Sequence, residues 1–99
     1  MTNIEINGKN YEFKFKFKQV QDLLKKTGKK SLTELQEVAE DFTNVALIGA
    51  IGIGKSAEEV EILLELDGTF KPIESILNAF SNEVIAYFGK SDPNATSQA

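Results

Sequence analysis

Ile4-Glu-Ile-Asn7-Gly8-Lys-Asn-Tyr11-Glu-Phe13-Lys-Phe15-Lys-Phe17-Lys-Gln-Val20-Gln-Asp-Leu23-Leu24 starts with the period of a strand and finishes with the period of a helix. Asn-Gly is a strong hairpin signal, because a type I′ turn needs positive φ at both central residues. A two-residue loop at Asn7-Gly8 sets Ile6 opposite Lys9, Ile4 opposite Tyr11 and Thr2 opposite Phe13. Side chains alternate along a strand, so Ile4, Ile6, Tyr11 and Phe13 share one face, and Phe15 and Phe17 extend it. Glu5, Glu12, Lys14 and Lys16 take the other face. A lone hairpin is marginal in water, so the apolar face must lie on helices or on another chain.

Downstream the pattern is helical. Phe17, Val20, Leu23 and Leu24 form one face of a helix that Gly28 ends, with Lys25, Lys26, Lys29 and Lys30 where the helix dipole favours positive charge. Ser31-Leu-Thr-Glu34 is a capping box, opening a helix whose inner side is Leu32, Leu35, Val38, Ala39 and Phe42. Val45 to Ile53 is a continuous apolar run that suits a buried strand or a buried helix. Helix is favoured, with Ala46, Ala50 and Gly54 as a small-residue stripe for a neighbouring helix. Gly49 and Gly52 oppose it, each costing about 1 kcal/mol against alanine. Ser56-Ala-Glu-Glu59 opens the next helix, with Val60, Leu63 and Leu64 inside and Glu58, Glu61 and Glu65 outside, until Asp67-Gly68 breaks it. Pro72 suits the first turn of the last helix, just after Phe70. Ile73, Ile76, Leu77, Phe80, Val84, Ile85, Tyr87 and Phe88 line its apolar face, and Gly89 is its expected cap.

The expected fold is therefore α+β and mainly α. An N-terminal antiparallel hairpin over 2–17 precedes four to five short helices over 18–89, packed in one layer around a single core. Residues 1–89 form one globular domain, and 90–99, without apolar period, form a disordered tail.

Composition narrows the chemistry. The 99 residues include no cysteine and no histidine, which removes thiolate sites, the commonest general base and the commonest metal ligand. All eleven basic residues are lysine, so the arginine fork that reads phosphates and base edges is missing, and no nucleic-acid partner is expected. The alternating Lys14, Lys16 and Lys18 and their phenylalanine neighbours fall on opposite faces, as a core strand with a wetted back requires. The net charge of −4 is uneven: residues 1–30 carry +5, residues 31–67 carry −8, and the remainder −1. Such a dipolar chain can steer toward charged partners or toward copies of itself. No signal-peptide pattern opens the chain, and the run from Val45 to Ile53 is about half of a membrane span, so a cytoplasmic protein without membrane contact is expected.

One motif suggests an enzyme. Gly49-Ala-Ile-Gly-Ile-Gly54-Lys55-Ser56 matches the phosphate-loop pattern G-x-x-x-x-G-K-[ST], in which amides surround the phosphates, lysine reaches the terminal ones and serine holds magnesium. The parallel sheet that surrounds such loops needs crossovers for which this chain has no room. The capping box already accounts for Ser56. Acids such as Glu40-Asp41 and Glu58-Glu59-Glu61 sit at helix starts and on wet faces. No catalytic residue, metal or cofactor is expected; a nucleotide binder through Gly49 to Ser56 is the minor alternative.

Residues 3 to 89 resemble the small tail assembly chaperones of long-tailed, siphovirus-like bacteriophages. The matching pieces are Ile4-Glu-Ile-Asn-Gly-Lys9-Asn-Tyr-Glu-Phe13, Phe15 and Phe17 leading into Val20-Gln-Asp-Leu-Leu24, and Lys55-Ser-Ala-Glu-Glu-Val60. Asp67-Gly-Thr-Phe-Lys-Pro72-Ile-Glu-Ser-Ile76-Leu-Asn-Ala-Phe80 completes them. The resemblance implies a non-enzymatic protein of the bacterial host cytoplasm. It would coat the apolar helical tape measure protein until the major tail protein polymerises around it, and would be absent from the finished particle. It also implies the option of a longer product by ribosomal frameshift near the gene's end. On this reading the candidate partner-binding side chains are Phe15, Phe17, Phe80, Tyr87 and Phe88, and homo-oligomers are plausible. A small adaptor of unrelated partner is the other reading of the same hairpin-plus-helices plan.

Overall fold

Asn7 and Gly8 take φ of 53° and 80°, the paired positive values of the expected turn. β1 (Thr2–Ile6) and β2 (Lys9–Phe13) pair antiparallel in the expected register, with Ile4 facing Tyr11 and Thr2 facing Phe13. The structure is a computed structural model that describes residues 2–91, with side chains described through Tyr87. Five α-helices follow the hairpin: α1 (Phe17–Thr27), α2 (Leu35–Glu40), α3 (Val45–Ile53), α4 (Ala57–Asp67) and α5 (Lys71–Ser91). The α+β, mainly helical architecture is as the patterning implies. The tail from residue 92 lies outside the described residues.

α3 sits at the centre, against α1, β2, α4 and α5. Val45, Ile48, Gly49, Ala50 and Gly52 are all buried. Ala46, Leu47, Ile51 and Ile53 are half-buried, so neighbours cover most of the helix and its sequence carries no amphipathic period. Its close contacts are made at Gly49 and Gly52, which are not on the expected Ala46/Ala50/Gly54 stripe. A Cβ on Gly52 would stand 2.1 Å from Cε2 of Phe13; one on Gly49 would stand 2.9 Å from Cδ1 of Ile76. Gly54 instead terminates α3 in the left-handed region at φ 77°. Glycine's cost in a helix is thus offset by tertiary approach, which a local sequence window does not contain.

The hairpin is fastened at three places. The Lys14 amide donates to the Gly52 carbonyl at 2.9 Å, tying the end of β2 to α3. Glu83 on α5 accepts from the Thr2 hydroxyl at 2.8 Å and from the Phe15 amide at 3.4 Å, holding the open end. At the turn, the Asn7 amide donates to Asp67 at the end of α4, at 2.7 Å. Between these points Phe13 stacks on Phe15 at 5.8 Å, and Phe15 meets Phe80 edge-on at 4.8 Å. Ile4, Ile6, Val20, Leu23, Ile48 and Ile76 complete the same core.

Three helix boundaries differ from expectation. The capping box at Ser31 forms, but it opens a 3-10 turn over Leu32–Glu34 before α2 begins. α2 stops at Glu40 because Asp41 turns extended and caps the following turn, accepting from the Thr43 amide at 3.0 Å and the Thr43 hydroxyl at 2.6 Å. This break carries Phe42 off the inner face and leaves it 63% exposed. Gly89 does not end the last helix, which runs on to Ser91. Glycine permits a stop without compelling one.

Four carboxylates, Asp41 and Glu59 exposed and Glu34 and Asp67 half-buried, hold their protons less tightly than usual for local reasons. Asp67 is lowered by the Thr69 hydroxyl and then the Asn7 amide, Glu59 by the Ser56 amide, Asp41 by the Thr43 hydroxyl, and Glu34 by the Lys30 amide. A depressed carboxylate adds stability above its unfolded pKa and surrenders it as pH falls through the folded value. Stability should therefore be flat near neutrality and decline below about pH 4. Asp67→Asn should lower the neutral-pH stability, and its gap to wild type should shrink in acid; a pH-independent gap in urea unfolding would refute this linkage. For the core, Gly52→Ala must displace the enclosed Phe13 ring and should lose about 1–3 kcal/mol. Gly49→Ala meets a flexible methyl and regains about 1 kcal/mol of helix propensity, so it should stay near wild type in the same measurement. Equal losses at the two sites would contradict the account.

Candidate functional site

α4 packs along α3 but encloses few of its own side chains. Val60 is its one fully enclosed residue. Leu63 and Leu64 are half-buried, whereas Ile62 and Leu66 are 54% and 65% exposed. Gly68, at φ 73°, ends α4 and reverses the chain, leaving Phe70 71% exposed just before α5. Pro72 behind it is fully buried and pins the first turn of α5.

These elements enclose an open groove of about 840 Å³. Its apolar lining includes Phe42, Val45, Ala46, Ile62, Phe70 and Ile73, and its acidic rim is Glu58, Glu61 and Glu65. The three acids recur at i, i+3 and i+7, one side of α4. Among the described residues none of them has a hydrogen-bond or ion-pair partner, whereas the neighbouring Glu59 is held by Ser56 and Lys55. Clustered exposed apolar side chains with a polar rim are the usual mark of a protein-binding surface. The groove offers shape, apolar area and negative potential.

The residues marked from the sequence are dispersed. Phe15 is fully buried and Phe80 is 4% exposed, their rings in contact inside the core, so neither offers a free surface. This corrects the expectation for both: the strand alternation that aligned them with Phe13 also encloses them. Phe17 leaves that row at the switch from strand to helix and is 57% exposed. Tyr87 is half-buried, and the side chain of Phe88 lies outside the described residues. Phe42, Ile62 and Phe70 were missed. For Ile62 the sequence signal was an apolar residue off the inner stripe, between Glu61 and Glu65; Phe42 sat on the expected inner stripe and gave none.

The phosphate-loop pattern has another structural meaning. Gly49 to Ile53 are helical, and the amides of Gly54 and Lys55 both donate to the Ala50 carbonyl, at 2.8 and 2.9 Å. Ser56 caps α4, accepting from the Glu59 amide at 3.1 Å, and Glu59 accepts in return from the Ser56 amide. Lys55 lies 4.0 Å from Glu59 and 5.7 Å from the Tyr11 ring centre. The amides that would cradle a phosphate are spent on ending one helix and starting the next. Among the described residues the sole sheet is the antiparallel hairpin, and no helix is long and apolar enough to cross a membrane. Comparison with known proteins finds no matching family model, and no curated protein or solved structure with significant similarity.

Magnesium-ATP titrated into the protein should accordingly release no binding heat and leave the melting temperature unmoved. Micromolar binding abolished by Lys55→Ala would restore the nucleotide reading.

Proposed function

We propose that this protein is a tail assembly chaperone of a long-tailed bacteriophage. It acts without catalysis in the cytoplasm of the bacterial host, covering apolar helical stretches of the tape measure protein until the major tail protein replaces it. The observation that carries this reading is the groove in which Phe42, Ile62 and Phe70 stand uncovered beside unpaired acids. An amphipathic helix laid into such a groove removes its own apolar stripe from water, worth about 25 cal/mol per Å² covered. The groove is open and shallow in polar contacts, which suits a client that must later be surrendered intact. The resemblance of the hairpin and of Asp67 to Phe80 to the chaperone family supports the same reading.

Co-expression with a tape measure fragment that aggregates alone should bring the fragment into solution and yield a co-eluting complex. The double variant Ile62→Ser/Phe70→Ser should keep its melting temperature yet lose most of that effect, since both side chains are exposed. Phe15→Ala should instead unfold the protein, at a cost of about 3–5 kcal/mol. Unchanged solubility of the fragment with the wild-type protein, and no complex, would remove the chaperone function while leaving the fold untouched.

A further inference from the structure

The hairpin turn holds a reactive pair whose side-chain chemistry the fold leaves unused. Asn7 and Gly8 are both exposed, and beyond its chain neighbours nothing lies within 4 Å of where a Cβ on Gly8 would stand. Among the described residues the Asn7 carboxamide has no hydrogen-bond partner, and the Gly8 amide donates to no acceptor. An electrophilic carbonyl carbon and an unhindered nitrogen thus belong to adjacent residues, both open to water. We propose that Asn7-Gly8 is a self-modification site. The Gly8 nitrogen gives its proton to hydroxide and bonds to Asn7 Cγ, and the side-chain nitrogen leaves as ammonia, taking a proton back from water. Water then opens the five-membered imide at one of its two carbonyls, giving aspartate or isoaspartate. No oxidant, metal or second protein takes part.

Sequence and structure single this bond out. The other described asparagines, Asn3, Asn10, Asn44, Asn78 and Asn82, precede Ile4, Tyr11, Val45, Ala79 and Glu83, whose side chains crowd the attacking nitrogen as glycine does not. Asp67-Gly68 can close the same ring in principle, but its Gly68 amide already donates to the Leu64 carbonyl at 3.2 Å. Its two carboxylate oxygens are also taken, by the Asn7 amide and the Thr69 hydroxyl. At Asn7 the ring does not close within the turn itself. A type I′ backbone holds the Gly8 nitrogen away from the Asn7 side chain, so the turn must first open. The bond from the Asn7 amide to Asp67, at 2.7 Å, resists that opening and makes Asp67 the latch.

The products cannot be held in the same way. Aspartate sets a carboxylate on the residue whose amide grips the Asp67 carboxylate, and like charges on such close residues repel. Isoaspartate routes the main chain through the former side chain and adds a methylene to a turn built for two residues, so Ile6 and Lys9 lose their register. Either change frees the hairpin turn from the end of α4, while the ties to Gly52 and Glu83 at the other end of the hairpin stay intact. The hairpin thereby carries a chemical clock whose rate the fold sets, independent of any client.

Ageing the full chain in mildly alkaline buffer tests the proposal, with the Asn7 peptide followed by mass spectrometry and isoaspartate by enzymatic methylation. Asn7 should convert with release of ammonia while the other described asparagines stay intact, and conversion should quicken as pH rises. Asp67→Ala, checked for a folded melting curve, should convert about three- to tenfold faster, the worth of one exposed hydrogen bond. The wild type unfolded in urea should convert faster than either folded protein. In the aged protein, hydrogen exchange at the Lys9 amide should rise about tenfold while that at the Lys14 amide holds. If Asp67→Ala is misfolded, Asp67→Asn replaces it, with the same direction expected. An Asn7 that stays intact in the folded chain through many lifetimes of the unfolded one overturns the proposal. So does equal conversion with and without the Asp67 carboxylate, or an aged turn that exchanges no faster than a fresh one.

Discussion

The ring of Phe13 lies on the bare backbone of Gly52, and most of the architecture depends on that approach. Without a side chain at Gly52 the end of β2 can come close enough for the Lys14 amide to reach the Gly52 carbonyl. The hairpin is then no longer a marginal two-stranded ribbon, because its apolar face is closed by α3. From that contact the aromatic row continues through Phe15 to Phe80, which brings α5 across the hairpin. On another side of α3, Ile76 and Val60 approach Gly49, where the nearest atom is a movable methyl and the constraint is looser. One short helix with two glycines thus receives three neighbours.

Filling the core in this way leaves α4 with little to do there. One residue, Val60, anchors it fully, and the Asp67 bond to the hairpin turn holds its end. Leu63 and Leu64 reach the edge of the core, which leaves no place in it for the other large apolar residues of α4. Ile62 and Leu66 consequently stay in solvent, beside Phe42 and Phe70, which two chain reversals have thrust outward. The surface best suited to meeting another polypeptide is therefore a by-product of where the core closes. Among the described residues the acids of its negative rim have no ion-pair partner.

Much of the fold was legible before any coordinates. Asn7-Gly8 with alternating neighbours specifies the hairpin and its register, since positive φ and a period of two leave few alternatives. The box at Ser56-Glu59 specifies where α4 starts, and Gly28 and Gly68 where α1 and α4 stop. Less legible was α3, where an all-apolar run has no period to read; in the fold its residues are buried or half-buried and none is polar, so no wetted face marks it as a helix. The candidate site was mostly illegible. Aromatic residues such as Phe15 and Phe80 look equally adhesive in a sequence whether they end in a core or on a surface, and both ended in the core.

The sequence by itself determined the local events: turn chemistry, capping, helix periodicity and the separation of charge along the chain, all of which act over a few residues. Tertiary structure alone decided which glycines are contact points, why a phosphate-loop pattern is a junction between two helices, and which apolar side chains remain outside. Those outcomes depend on competition for a finite core, and no stretch of chain encodes how much of that space its distant neighbours will take.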